Sequence, residues 1–276
     1  MTTNMTAPIP VPGNHPLDTR LPDMLRSGRR LRGIFNGIPS PAIVEMCGYA
    51  GFDFIVIDNE HGSADLQTTE HMLRAARASG IAPIVRCLEQ DIGRTLDMGA
   101  SGLQIPMVNT AEQAAALVQR VRYPCFVNGV NVGGQRGSAF SHRAAWFGAF
   151  GGPAHTQRSN NGIVLVAMIE TPQGVENAAA IASVNGVDGV FIGPNDLAHS
   201  MGFENRWFEE PVQRAIEKTL RAVHAAGKCP GILALSAADE NHYAGWGARY
   251  FASVSTGLIS KAFKDAAQGG KAGVNY

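Results

Sequence analysis

Eight short apolar runs, alternating with segments of helical character from Leu31 onward, limit this chain to very few folds. The runs are Leu31–Phe35, Phe52–Asp58, Ala82–Arg86, Gly102–Pro106, Ile163–Glu170, Gly189–Gly193, Cys229–Leu235 and Tyr250–Val254. The helical segments are Ser40–Ala50, Ala64–Ser79, Asp91–Met98, Thr110–Val121, Gly174–Ser183, Pro211–Ala226, Ala237–Gly247 and Ile259–Ala267. The best runs are β-branched and uncharged until their last position, as strands covered on both faces by helices are. Such alternation predicts a parallel β/α architecture, and eight strands predict a closed (β/α)8 TIM barrel rather than an open doubly wound sheet. A chain of 276 residues suits one such domain.

No dinucleotide fingerprint accompanies the strands. The stretch Gly245-Trp-Gly-Ala-Arg-Tyr250 lacks the third glycine and follows a helix, and no Gly-Lys-Ser/Thr phosphate loop occurs. No nucleotide cofactor is expected. Formal net charge is zero, which gives no electrostatic case for nucleic acid or an anionic membrane. Cys47, Cys87, Cys125 and Cys229 form no Cys-x-x-Cys pair, so reduced thiols in a cytoplasmic protein are expected. Residues 1–20 lack the basic and apolar regions of a signal peptide and read as a flexible N-terminal arm ahead of a barrel domain over residues 21–276. One long connection, residues 124–162, is rich in Gly, Asn and Ser and carries Arg136, Arg143 and the pair Trp146-Phe147. It reads as a lid or an interface arm.

In a β/α barrel, the C-terminal strand ends share one mouth. Two matched apolar runs end there in carboxylates, Glu170 and, just past Gly193-Pro194-Asn195, Asp196. Two anionic oxygen ligands with water suit a hard divalent cation, Mg²⁺ or Mn²⁺, with Co²⁺ as a further option. Each carboxylate taken alone reads equally well as the cap of the helix that follows it. The same mouth receives Asp58-Asn59-Glu60-His61, Arg86 and Gln104. Arg86 has the fork to grip a planar carboxylate, and His61 can serve as general acid/base with Asp58 orienting its ring. Gly193, Pro194, Asn195 and Gln104 are candidate substrate contacts, the loop at Gly193-Pro194 through backbone N–H groups. The simpler readings are a structural salt-bridge arginine, a satisfied polar histidine and a helix-capping Asp58. A metal held by Glu170 and Asp196 could chelate a 2-oxo acid and polarise its carbonyl.

These blocks resemble a known family. Asp58-Asn-Glu-His61, Val85-Arg86, Ile105-Pro-Met-Val-Asn-Thr110, Ile169-Glu-Thr-Pro-Gln-Gly174 and Gly186-Val-Asp-Gly-Val-Phe-Ile-Gly-Pro-Asn-Asp-Leu197 are similar to those of the HpcH/HpaI aldolase/citrate lyase family. Within it they resemble the class II pyruvate aldolases acting on 2-keto-3-deoxy sugar acids and 4-hydroxy-2-oxoheptanedioate. The resemblance implies a barrel assembled as a hexamer, a trimer of dimers exchanging the C-terminal helix. It implies a divalent metal on Glu170 and Asp196, pyruvate held by Arg86 and the metal, and His61 with Asp58 as acid/base machinery. It also implies that Asp97 approaches a neighbouring subunit's site. Three departures stand out: Met168 where relatives often carry Gln, a short stretch Cys87–Thr95 after Arg86, and the expanded connection Cys125–Asn161.

The expected activity is reversible aldol cleavage of a 4-hydroxy-2-oxo acid to pyruvate, or a close 2-oxo acid, and an aldehyde. A Schiff-base aldolase would need a lysine at the mouth. Lys218, Lys228, Lys261, Lys264 and Lys271 are all the lysines, and Lys228 precedes its strand at the wrong end. An acyl-CoA thioester lyase of the citrate lyase type and a non-catalytic metal-binding barrel are the other readings.

Overall fold

The computed structural model describes residues 15–269. Eight parallel strands close on themselves: β1 (Leu31–Asn36), β2 (Phe54–Asp58), β3 (Ala82–Arg86), β4 (Gly102–Ile105), β7 (Val164–Ile169), β8 (Gly189–Ile192), β9 (Cys229–Leu233) and β10 (Tyr250–Val254). β10 pairs with β1 to complete the ring. The remaining strands, β5 (Phe126–Val127) and β6 (Val130–Asn131), form a separate antiparallel hairpin. Helices follow the barrel strands and bury one face against them. The amphipathic helix Glu210–Ala225, for example, turns Val212, Ile216, Leu220 and Val223 inward.

The barrel interior is filled rather than hollow. Phe54 stacks on Tyr250 at 4.2 Å between ring centroids, and Phe191 meets Tyr250 edge-on at 5.6 Å. Glycines make room for these rings: a Cβ at Gly33 would lie 2.3 Å from Phe54, and one at Gly231 2.4 Å from Tyr250. Leu21 and Leu25, on the helix Leu21–Arg26, join the same interior cluster and close the N-terminal mouth. Open space therefore remains at the C-terminal mouth.

The chain departs from the sequence expectations in four places. The segment Gly174–Ser183 is two short helices, Pro172–Glu176 and Ala178–Ser183, broken at Asn177. Helices Leu21–Arg26, Pro153–Gly162 and Pro194–Ser200 had no separate signal, being short or weakly patterned. The flexible-arm reading of residues 1–20 is corrected at its end, while residues 1–14 lie outside the described residues. His15, Leu17 and Asp18 are buried; the Asp18 backbone N–H donates to Ser101 Oγ at 2.6 Å, and Arg20 grips the Asp18 carboxylate.

The lid reading of residues 124–162 is also corrected. This connection joins the end of the helix Ala111–Val121 to the start of β7, so it lies at the N-terminal mouth. It is packed there: Arg143 donates to Met98 O at 2.6 Å, Arg136 lies 4.3 Å over the Tyr123 ring, and Trp146 stacks on His15 at 5.8 Å. Burial pushes His15 and His155 down to about 4, so both pack as neutral imidazoles.

The Gly231 contacts give a direct test. Gly231→Ala should lower stability by about 1–3 kcal/mol through overpacking, read as a lower urea midpoint with an unchanged slope. A variant with wild-type stability would show that the aromatic rings can repack.

Candidate active site

The site begins with a register match. Asp58 and Arg86 are paired positions on neighbouring strands β2 and β3, so their side chains emerge together at the mouth. Arg86 Nε donates to Asp58 Oδ1 at 2.8 Å and Nη2 to Oδ2 at 2.5 Å. Burial alone would push the Asp58 carboxyl up, but the hydrogen bonds and charge of Arg86 hold it below the ordinary carboxylate range. Burial likewise works against the Arg86 cation, yet Asp58 outweighs it and holds the guanidinium above its usual value. The cation also lies over the Phe35 ring at 5.0 Å.

This pair corrects the role expected for Asp58. Its carboxylate goes to Arg86, and its contact with His61 is to the backbone N–H, at 3.3 Å, not to the ring. Asp58 Oδ1 also accepts from the Glu60 N–H at 3.1 Å, which folds the chain after β2 back over the mouth. The His61 ring is largely solvent-facing, and its Nε2 lies 3.8 Å from Glu60 Oε2. Glu60 received no role from sequence; its position directly before His61 was the signal available.

Glu170 follows the last residue of β7 and is 3% exposed. One oxygen, Oε2, accepts the Met107 N–H at 2.8 Å. Met107 takes a left-handed backbone, with φ of 58°, in the loop after β4. The other oxygen lies against Gly193, where a Cβ would come within 2.5 Å of Glu170 Oε1, so this position has no room for a side chain. Burial pushes the Glu170 carboxyl up to about 7, and the Asp196 and Glu60 carboxylates add to the shift. Asp196 is exposed in the first turn of the helix Pro194–Ser200.

The capping readings do not hold for these groups. Asp65 caps the helix after β2, Thr171 caps the one after β7, and Gly193 occupies the N-cap position before Pro194–Ser200. Asp58, Glu170 and Asp196 are thereby left for other work. They line, with His61, Arg86, Gly193, Pro194 and Asn195, one cavity of about 340 Å³. Its apolar lining includes Phe35, Met168, Phe191, Leu233 and Val254. Met168 thus presents a thioether to the cavity.

Gln104, Gly193 and Pro194 act differently from the substrate contacts expected of them. Gln104 is fully buried inside the barrel, accepts from the Tyr250 hydroxyl at 3.1 Å, and does not line the cavity. The Gly193 N–H donates to Ile169 O at 3.2 Å and Pro194 has none, so those two residues offer the cavity no backbone donor. Asp97 is 2.8 Å from Arg136 and 3.3 Å from His142, beside the long connection.

The donor set suits a hard divalent cation. A buried carboxyl raised by neighbouring anions is what a cation between them would relieve, and both groups are oxygen donors. No cluster of three or more His, Cys, Asp or Glu ligands occurs among the described residues, so water or substrate oxygens would complete the shell.

A closed (β/α)8 barrel with two carboxylates, an arginine and a histidine lining a cavity at its C-terminal mouth has the architecture of a β/α-barrel enzyme. Sequence comparison is more specific: the chain belongs to the HpcH/HpaI aldolase/citrate lyase family, whose model matches residues 32–262. It is 39% identical to a hydroxypyruvate/pyruvate aldolase of Deinococcus radiodurans, over 90% of this chain and 88% of that one. It is 40% identical to a 5-keto-4-deoxy-D-glucarate aldolase of Salmonella arizonae, over 80% of this chain and 84% of that one. The fold matches the crystal structure of a family protein from Burkholderia cenocepacia J2315 with a TM-score of 0.85 at 30% identity, covering 91% of this chain and 99% of that one. These relatives support assignment as a carbon–carbon lyase. No helix of the described residues is long and apolar enough to cross a membrane.

Glu170 gives a prediction with a definite sign. Its folded-state value of about 7 lies above the unfolded carboxylate value, so the metal-free fold binds the extra proton. The contribution of this one group is therefore full below about pH 4.5 and falls as pH rises through about 7, by on the order of 3 kcal/mol. Urea midpoints of chelator-treated protein at pH 5 and pH 8 should differ accordingly. Glu170→Gln should remove most of that difference.

Proposed function

We propose that this protein is a metal-dependent class II aldolase. It reversibly cleaves a 4-hydroxy-2-oxo acid, either a 2-keto-3-deoxy sugar acid or a hydroxy-oxo-diacid, to pyruvate or a close 2-oxo acid and an aldehyde. The observation that carries this reading is the single cavity in which Arg86 and His61 face Glu170 and Asp196 above an apolar lining. Glu170 and Asp196 would hold a divalent ion, Mg²⁺ or Mn²⁺ by donor chemistry with Co²⁺ as a further option. When bound, that ion supplies Lewis-acid polarisation of the 2-oxo group.

The chain's own groups account for the rest. Asp58 occupies the Nε edge of Arg86 and fixes its plane, so the outer Nη1/Nη2 end meets the substrate carboxylate. Phe35, Met168 and Phe191 exclude water around the C3 carbon. The His61 Nε2, exposed to the cavity opening, takes the proton of the C4 hydroxyl. The C3–C4 bond breaks, C4 leaves as the aldehyde carbonyl, and the bonding pair passes onto the C3–C2 unit. C3 then accepts a proton to give pyruvate. A Schiff-base route is disfavoured, because no lysine lines the cavity and Lys228 donates to Val187 O at 2.6 Å, before its strand begins.

Assembly as a hexamer, a trimer of dimers with an exchanged C-terminal helix, belongs to the same proposal. In its support, the helix Ser255–Ala267 buries only Ser255 on its own chain and leaves Leu258 and Phe263 exposed. Light scattering should return six times the 29.2 kDa chain mass. Four free cysteines, three of them buried, agree with a cytoplasmic location.

The decisive experiment follows the methyl signal of pyruvate in D₂O by NMR, with Mg²⁺ or Mn²⁺ and then with a chelator. Metal-dependent loss of the signal is expected, and Glu170→Gln or Asp196→Asn should abolish it. Unchanged exchange in either variant would overturn the assignment of these ligands. The absence of exchange in the wild-type protein with any divalent ion would overturn the aldolase reading.

A further inference from the structure

We infer that Glu60 is a positioning residue that passes between two partners during the reaction proposed above: Arg86 in the free enzyme and His61 once the substrate carboxylate is bound. The inference starts from the donors of Arg86. A guanidinium has five N–H groups. Asp58 takes the Nε–H and one from Nη2, which removes the side-on fork from use by substrate. What remains for a carboxylate is the Nη1/Nη2 end, and Glu60 Oε2 already stands 3.2 Å from Nη1. Three N–H groups remain, two on Nη1 and one on Nη2, so a substrate carboxylate on that end brings a second anion to the nitrogen that Glu60 already flanks.

The position of that oxygen shows where it can go. Oε2 is buried and accepts an aligned hydrogen bond from no group among the described residues, although two donors are close. Arg86 Nη1 lies at 3.2 Å and His61 Nε2 at 3.8 Å from the same oxygen. An uncommitted buried carboxylate oxygen is costly, and a small rotation toward either donor relieves it. The surrounding charges set the direction. A substrate carboxylate arriving at Arg86 repels Glu60 at close range. The side chain leaves Nη1 and takes the His61 ring, where it stabilises the imidazolium that forms as His61 accepts the hydroxyl proton. Asp58 cannot do this, being held on Arg86 by two short hydrogen bonds.

This arrangement has an unusual kinetic signature. Removing Glu60 frees Arg86 Nη1, so substrate binds without displacing anything, while His61 loses its counter-charge. Glu60→Gln should lower KM for the oxo acid by roughly threefold to tenfold and lower kcat by roughly tenfold to a hundredfold, the pattern of a removed ground-state contact together with weakened acid/base help. If Glu60 instead served only to brace Arg86, its loss would loosen the arginine and raise KM.

The test uses the full chain with Mg²⁺, the wild type being first shown to exchange pyruvate protons. Cleavage of 4-hydroxy-2-oxobutanoate to pyruvate and formaldehyde gives kcat and KM, and calorimetry with pyruvate gives a binding constant independent of turnover. Tighter pyruvate binding with slower cleavage in Glu60→Gln supports the inference, and Glu60→Ala repeats the test if the first variant folds poorly. Weaker pyruvate binding, or an unchanged kcat, overturns it while leaving the aldolase reading intact. A wild type inert toward pyruvate removes that reading instead.

Discussion

Closure of the barrel governs everything else in this molecule. Once β10 pairs with β1, the eight barrel strands, all parallel, bring their C-terminal ends to one rim. Side chains far apart in sequence, such as Asp58 and Asp196, then line one cavity. Closure itself depends on filling the interior, which is the task of Phe54, Phe191 and Tyr250 packed against glycines at 33 and 231. The short N-terminal helix seals the other end.

Within that frame, one buried ion pair orders the site. Asp58 and Arg86 are brought together by strand register, and the pair satisfies both groups in a place where either alone would be costly. Arg86 is thereby fixed in plane over Phe35, with its Nε edge spent on Asp58 and its Nη1 beside Glu60. Opposite it, Glu170 is held by the Met107 N–H and by the bare backbone of Gly193. The cavity thus brings the Asp58–Arg86 pair together with two further carboxylates, Glu170 and Asp196.

The period of the apolar runs made the barrel legible in sequence, because a buried parallel strand allows almost no charge until it reaches the rim. β3 and β10 have the bounds the pattern predicts, and the other barrel strands differ by a few residues at their ends, where the ladder frays. The rim residues Arg86, Glu170 and Asp196 were legible for the same reason, as charges ending apolar runs. The partners of those charges were not. Asp58 is near His61 in sequence but bonds to Arg86, a choice made by strand register rather than spacing. Gln104 points inward to Tyr250, since consecutive residues of a strand face opposite ways. The support from Met107 rests on a left-handed backbone at a residue that gives no sign of it. The buried segment His15–Leu17 was hidden by a polar, proline-rich composition that ordinarily marks a tail.

The long connection at the N-terminal mouth separates two jobs that a lid would have joined. Its hairpin carries Cys125, the one exposed cysteine among the described residues, while Cys47, Cys87 and Cys229 are buried. Burial pushes the thiols of Cys87 and Cys229 up to about 12, so at neutral pH they are poor nucleophiles. A maleimide dye or a surface tether would therefore attach at a single point, at the end of the barrel away from the chemistry. The molecule comes with its own handle, set where immobilisation leaves the reactive mouth facing solution.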